Sequence, residues 1–219
     1  MNRKVVFAPG EFYHVYNRGV DRREIFLDEH DYHRFVQLLF VANGSRAFEY
    51  RNIKGKNFSE IERDKPLVAI GAYCLMPNHF HILIKEITDQ GLSDFMEKLT
   101  TSYSKYFNGK YGRVGTLFQG RFQAQHANND TYLKYLFAYI HLNPIKLIDS
   151  NWKETGIQNR KQARVYLMQY QHSSFLDYAA GLHTNRDVSQ VLSKKEFPEY
   201  FLHNFDFIDF IDDWMAYQD

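Results

Sequence analysis

The stretch "PLVAIGAYCLMPNHFHILIKE", residues 66 to 86, reads as two strands joined by a tight turn. The apolar runs "PLVAIGAYCLM" and "HFHILIKE" flank Pro77-Asn78, and proline with asparagine between two β-prone runs is turn chemistry. Side chains alternate between faces along a strand, so Phe80, Ile82 and Ile84 share one face and His79 and His81 the other. A strand suited to filling a core thus opens with two imidazoles, their backbones about 6.6 Å apart. Two such rings can lean together onto one cation. With ten histidines in 219 residues, however, a His-x-His pair arises by chance in roughly one such sequence out of two. The spacing alone therefore leaves open whether the rings hold a metal or merely alternate along a strand.

Working outward, "EFYHVYNRG" alternates aromatic and polar residues and closes on Asn-Arg-Gly, a first strand and a turn. "DEHDYHRFVQLLFVAN" carries Phe35, Leu38, Leu39 and Ala42 at helical spacing. Residues 44–66 are polar and read as a loop or short excursion. "GLSDFMEKLTTSYSKYFNGKYG" is a second helix with Ser93 as its expected N-cap, and Phe95, Leu99, Tyr103, Tyr106 and Phe107 on one side. "TLFQGRFQAQHA" is a short irregular strand. "NNDTYLKYLFAYIHLNPIK" is a third helix, capped by Asn129 or Asp130 and expected to end at Asn143-Pro144, since the residue before proline resists the α conformation.

The order strand, helix, strand, strand, helix, strand is that of the split βαβ, ferredoxin-like fold. The expected class is α+β, with an antiparallel sheet, helices on one face and the other face available to ligands. After residue 150 come helical fragments, "KQARVYLMQY", "SSFLDYAAG" and an acidic aromatic tail. This divides the chain into a sheet-bearing part over residues 1–150 and a helical C-terminal extension with an acidic tail over 151–219.

Composition bounds the functional classes. The single cysteine, Cys74, excludes an internal disulfide framework and fits a reducing cytosol. No stretch approaches membrane-spanning length, so a soluble, cytoplasmic protein without a membrane partner is expected. The net charge of +1 hides an uneven distribution. Lys98 to Asn129 holds no acid but includes Lys105, Lys110, Arg113 and Arg121, while Glu196 to Asp219 holds seven acids and no lysine or arginine. A local basic surface of this kind suits a polyanion.

In the third helix Tyr139 and Asn143 are four residues apart, hence neighbours on one face. That spacing is compatible with an aromatic core stripe ending in a polar C-cap. It is also compatible with chemistry: a tyrosine hydroxyl can attack a phosphodiester when a divalent cation, held by an imidazole pair and an amide oxygen, withdraws charge from the phosphate. A covalent phosphotyrosine splits strand transfer into two reversible steps.

Four ordered motifs, "YHVYNRG", "MPNHFHILI", "GRVGTLFQGRF" and "YIHLNPIK", resemble those of the REP-associated tyrosine transposases, single-tyrosine members of the HUH endonuclease superfamily. A fifth, "YQHSSF", resembles a Trp-Ser-Ser-Tyr element of that family but carries His172 and Phe175 in place of its aromatic ends. The resemblance runs from about Phe12 to Tyr178. It implies His79, His81 and Asn143 as ligands of Mg²⁺ or Mn²⁺ and Tyr139 as the nucleophile. It further implies cleavage of single-stranded DNA beside REP-like hairpins, through a 5′-phosphotyrosine and a free 3′-hydroxyl. Asn17, Arg18, Lys105, Lys110, Arg113, Gln119 and Arg121 are the expected DNA contacts, and the oligomeric state is left open between monomer and homodimer. Two other readings compete: a non-catalytic or domesticated nucleic-acid-binding regulator of the same fold, and a hydrolytic zinc site completed by a histidine such as His126.

Overall fold

The computed structural model describes residues 5–180 and 186–216. Strand β1 (Phe12–Arg18), helix α1 (Glu29–Val41), the hairpin β2 (Val68–Met76) and β3 (His79–Glu86), helix α2 (Gly91–Lys110) and strand β4 (Gln123–His126) follow in that order. The four strands form one sheet in the order β2-β3-β1-β4, with every neighbouring pair antiparallel. This is the expected split βαβ arrangement.

The first face of the sheet, bearing Tyr13, Val15, Ile70, Tyr73, Leu75, Phe80, Ile82 and Ile84, forms one core cluster with α1 and α2. Phe35 of α1 meets Phe80 at 5.0 Å between ring centroids and Tyr103 of α2 at 4.9 Å, edge to face. Asp28 starts α1 by accepting the Asp31 N–H at 3.1 Å. Residues 44–66 form two single-turn 3-10 helices, and their Ile53, Phe58 and Ile61 extend this core.

Helix α2 does not begin at Ser93. It starts at Gly91, after Gln90 in a left-handed conformation, and Ser93 lies in the first turn. The cap comes from elsewhere in the fold: the buried Glu86 carboxylate at the end of β3 accepts the Leu92 N–H at 3.2 Å. Gly91 allows the close approach, since a Cβ there would stand 2.4 Å from the Leu67 carbonyl oxygen.

The second face is partly covered. Helix α3 (Asp130–Leu142), capped by Asn129, packs Leu133, Leu136, Phe137 and Ile140 against Ala69, Ala72, Cys74, Met76 and Leu83. The pairing of β2 with β3 skips at Gly71, where the Phe197 ring occupies the space a side chain would need. At the end of α3, Asn143 keeps helical angles (φ −53°, ψ −38°) despite preceding proline, because Pro144 opens a 3-10 segment, Asn143–Leu147, that continues the helix in a tighter winding.

Helices α4 (Trp152–Thr155), α5 (Arg160–Gln169), α6 (Phe175–Ala179) and α7 (Asn204–Ala216) follow. Their Ala163, Leu167, Phe175, Phe207 and Ile211, with Ile157 of the α4–α5 loop, form a third cluster with Ala138 and Leu142 of α3. The "YQHSSF" segment docks on the free edge of β2: Leu75 donates to the His172 carbonyl at 2.9 Å and Ser174 to the Tyr73 carbonyl at 3.0 Å. His172 stacks on Tyr32 with centroids 3.6 Å apart. Gly181, at the end of the "SSFLDYAAG" fragment, and Asp219, last acid of the tail, lie outside the described residues.

Candidate active site

Strand register decides which histidines meet. In the β1–β3 pairing Tyr16 stands opposite His81 and Arg18 opposite His79, so His14, two residues before Tyr16, sits diagonally across from His81 on the same face. The His14 Nε2 and His81 Nδ1 atoms are 2.9 Å apart, one ring donating to the other, and both rings are buried. His79 donates from Nδ1 to Asn78 Oδ1 at 2.6 Å, while Asn78 Nδ2 donates to the Arg22 carbonyl at 3.2 Å and thereby fixes which amide atom faces the imidazole. Burial holds all three imidazoles neutral near pH 7. The pKa values of His14 and His79 are lowered to about 4, and that of His81 falls well below its ordinary value, helped down by its histidine neighbours.

Helix α3 brings the tyrosine. The Tyr139 ring centroid lies 5.4 Å from His14 and 5.6 Å from His81, edge to face with each, and the Lys153 ammonium sits 4.0 Å above the phenol ring. Burial and the neighbouring Tyr16 raise the phenol pKa, and Asn143 works against the rise. Asn143 Nδ2 donates to the Tyr139 carbonyl at 2.7 Å, which fixes the amide at the helix end and leaves its oxygen available. The rotation of α3 is set from behind by His141. Its Nδ1 lies 2.8 Å from the Phe137 carbonyl, its Nε2 2.7 Å from Ser174 Oγ, and that hydroxyl also accepts the Tyr73 N–H of β2. Ser174 of the divergent fifth motif thus ties the tyrosine helix to the sheet edge.

These groups open into one cavity of about 530 Å³. Of the residues singled out in the sequence, His79, His81, Tyr139, Asn143, Asn17, Arg18 and Gln119 line it, and Arg18 Nε donates to Gln119 across the rim. Lys105 and Arg121 line a different groove, of about 860 Å³, between α2 and residues 116–122; Asn17 belongs to both cavities. Lys110 is in neither lining: its ammonium is engaged with Asp28 at 2.7 Å and with the fully buried Asp31 at 2.8 Å. Arg113 donates to Asn108 Oδ1 at 3.0 Å, with its guanidinium over the Phe107 ring. His126, the candidate for a zinc site, pairs with Glu11 at 2.6 Å, away from the histidine pair's cavity.

Sequence reading passed over His14, Tyr16, Arg22, Lys146 and Lys153, all within the cavity or against its rings. Only His14 carried a usable signal, its place within "YHVYNRG" on the alternation that puts Tyr16 beside the histidine pair. Lys146 and Lys153 reach the site through the turn after Pro144, a geometry no local pattern encodes. Among the described residues, the cavity is lined by the cations Arg18, Arg22, Lys146 and Lys153 and by no carboxylate.

The second face of the sheet thus presents imidazoles to a tyrosine on the helix packed across it. The family model for IS200-like transposases matches residues 13–143, more than half of the chain, and the chain belongs to that family. Among solved structures it is similar to a REP-associated tyrosine transposase bound to a REP hairpin: TM-score 0.50 and 15% identity, covering 82% of this chain and 86% of that one. At that identity the likeness bears on the fold alone. A transposase-assigned protein of Deinococcus radiodurans matches at TM-score 0.34 and 16% identity, covering 64% of this chain and 94% of that one. A search of curated proteins finds no match. The protein is a transposase, a DNA-cleaving enzyme of transposition. No helix among the described residues is long and apolar enough to cross a membrane.

Proposed function

We propose that the chain cuts and rejoins single-stranded DNA beside a hairpin, with Tyr139 as nucleophile. One observation carries this: a tyrosine faces an imidazole pair in a cavity walled by cations and, among the described residues, by no acid. Such a cavity repels nothing about a phosphodiester and offers it charge on several sides. The Tyr139 oxygen bonds to phosphorus as the bond to the 3′ oxygen breaks. The proton lost from the phenol matches the one gained by the 3′-hydroxyl, and the 5′-phosphotyrosine awaits a second 3′-hydroxyl for rejoining. Hairpin DNA as the partner rests on the REP hairpin carried by the structural relative.

The donor set fits a divalent cation. His79 donates from Nδ1 to Asn78, leaving Nε2 as a lone pair; His81 can do the same while donating from Nδ1 to His14, and among the described residues the Asn143 oxygen accepts no hydrogen bond. Among the described residues no cluster of three or more histidine, cysteine or acidic side chains is present to hold a metal by itself. His79, His81 and Asn143 would hold Mg²⁺ or Mn²⁺, which when bound supplies Lewis-acid withdrawal of charge from the scissile phosphate. Two nitrogens and one amide oxygen without a carboxylate would hold such an ion weakly by themselves, so its binding would depend on the DNA phosphate.

Asn17, Arg18 and Gln119 are the proposed contacts at the cavity rim, and Lys105 and Arg121 those of the adjoining α2 groove. Residues 1–150 form the catalytic unit in this reading, and the 151–219 extension walls it through Lys153.

Tyr139→Phe tests the core of the proposal. The variant is expected to lose all denaturation-resistant adduct with a labelled DNA hairpin bearing single-stranded flanks, while binding that DNA nearly as well as the parent. An adduct at the parent level would transfer the role to another residue. Binding by the parent chain with no adduct under any divalent ion would leave a DNA-binding regulator.

A further inference from the structure

On the far side of Tyr139 lies a second cavity, of about 600 Å³, between α3, α4 and α7. Four aromatic side chains wall it, Tyr135 and Tyr139 of α3, Trp152 of α4 and Trp214 of α7, with Lys153 and one carboxylate, Glu154, along the α4 side. Tyr135 packs 4.9 Å from Trp214 and 5.8 Å from Tyr139, centroid to centroid, so three rings run continuously from the nucleophile into the pocket. Tyr139 and Lys153 belong to both cavities, and the Lys153 ammonium stands 4.0 Å from the Tyr139 ring and 5.5 Å from the Trp152 ring. The Trp152 indole N–H is buried and, among the described residues, has no hydrogen-bond partner. Trp152, Lys153 and Trp214 all lie beyond residues 13–143, the part the family model matches.

A pocket of this size falls within the range that takes small ligands. Flat aromatic walls suit a planar π-system, and a cation at the junction with the catalytic cavity suits a phosphate attached to it. A planar group joined to a phosphate, entering beside a tyrosine that attacks phosphodiesters, is an unpaired nucleotide. We propose that this pocket receives the unpaired base flanking the scissile phosphate, stacked on the Trp214 and Tyr135 side of the pocket, with Lys153 standing between base and phosphate. The inference rests on the single-stranded DNA reading above. Fixing the base next to the cleaved bond would hold the phosphate in line with Tyr139 and give the C-terminal extension a role in substrate selection.

The chain contains two tryptophans, and both wall this pocket, so tryptophan emission reports on it. The test uses full-length Tyr139→Phe protein and a DNA hairpin with single-stranded flanks of mixed sequence. Tryptophan emission and, in a separate titration, the anisotropy of end-labelled DNA are followed. The expected result is quenching of emission with the same midpoint as the rise in anisotropy. Trp214→Ala in that background is expected to weaken binding about tenfold, the scale of one lost base stack, while Trp214→Phe restores most of it. A variant that fails to fold is recognised by its circular dichroism, and the quenching titration then decides by itself. DNA binding that leaves tryptophan emission unmoved overturns the pocket and spares the single-stranded DNA reading. No rise in anisotropy at all overturns both.

Discussion

Phe80 and His81 are neighbours in β3, and the sheet sends them in opposite directions. Phe80 enters a face closed by two helices, packed 5.0 Å from Phe35 and 5.9 Å from Phe118. His81 enters a face that α3 closes only in part, where it meets His14, Tyr139 and the cavity. The two residues are almost equally buried, at 0% and 7% exposure. Equal burial therefore does not mean equal purpose. One face is held by shape and apolar area; the other keeps polar rings out of water while leaving them lone pairs to use.

Exchanging each residue for alanine breaks the comparison most sharply. Phe80→Ala is expected to cost about 3–5 kcal/mol, the scale for a buried phenylalanine whose neighbours cannot collapse inward. His81→Ala removes one hydrogen bond and is expected to cost about 1 kcal/mol, yet to abolish DNA cleavage. Urea denaturation and the adduct assay, run on both variants, read the two effects separately. Equal loss of stability would make the histidine face a second structural core.

Acid should distinguish the faces next. Burial lowers the pKa of His14 and His79 to about 4 and that of His141 to about 3, whereas among the described residues the α1–α2 face buries no histidine. The unfolded chain takes up these protons near pH 6.5, before the folded chain can. Stability from the neutral rings is thus fully present above about pH 6.5 and is lost as pH falls toward 4. From His14 alone the loss between pH 7 and pH 5 is about 2 kcal/mol. In chelator, the urea midpoint should fall over that interval, and His14→Gln should reduce the fall. A midpoint that stays level from pH 7 to pH 5 would mean that water reaches these rings.

The sequence made the first face legible and only part of the second. Phe80, Ile82 and Ile84 alternate as a half-buried strand must, and Phe35, Leu38 and Leu39 repeat as a helix must, so periodicity alone assembles that layer. His79 and His81 were visible by the same alternation, and Tyr139 with Asn143 by helical spacing. What periodicity cannot supply is register between strands distant in sequence, which is what brings His14 onto His81 across 67 positions. Nor can it supply the packing of the extension that delivers Trp152, Lys153 and Trp214. Glu86 illustrates the same limit on the first face: a carboxylate ending one strand caps the next helix, displacing the local candidate Ser93.

Lys110 and Arg121 sharpen the comparison at the smallest scale, because sequence treats them alike and the fold does not. Lys110 closes α2 onto Asp28 and Asp31. Burial pushes the Asp31 pKa up, but Lys110, the Leu27 N–H and the phenols of Tyr111 and Tyr106 outweigh it and hold the pKa below the ordinary value. Lys110→Ala would leave that carboxylate three of its donors, at a cost of about 1–3 kcal/mol in stability. Its effect on DNA binding should be slight. Arg121 lines the α2 groove beside Lys105, and the structure ties its side chain to no carboxylate among the described residues. Each phosphate contact to single-stranded DNA contributes about 0.7 to the slope of log affinity against log salt. Arg121→Ala should flatten the slope by that amount and leave the urea midpoint within about 0.5 kcal/mol of the parent. Lys110→Ala should do the reverse, moving the midpoint and keeping the slope. A flattened slope in Lys110→Ala with an unchanged one in Arg121→Ala would relocate the DNA from the groove to the α1–α2 edge, and the division between holding residues and binding residues would have to be redrawn there.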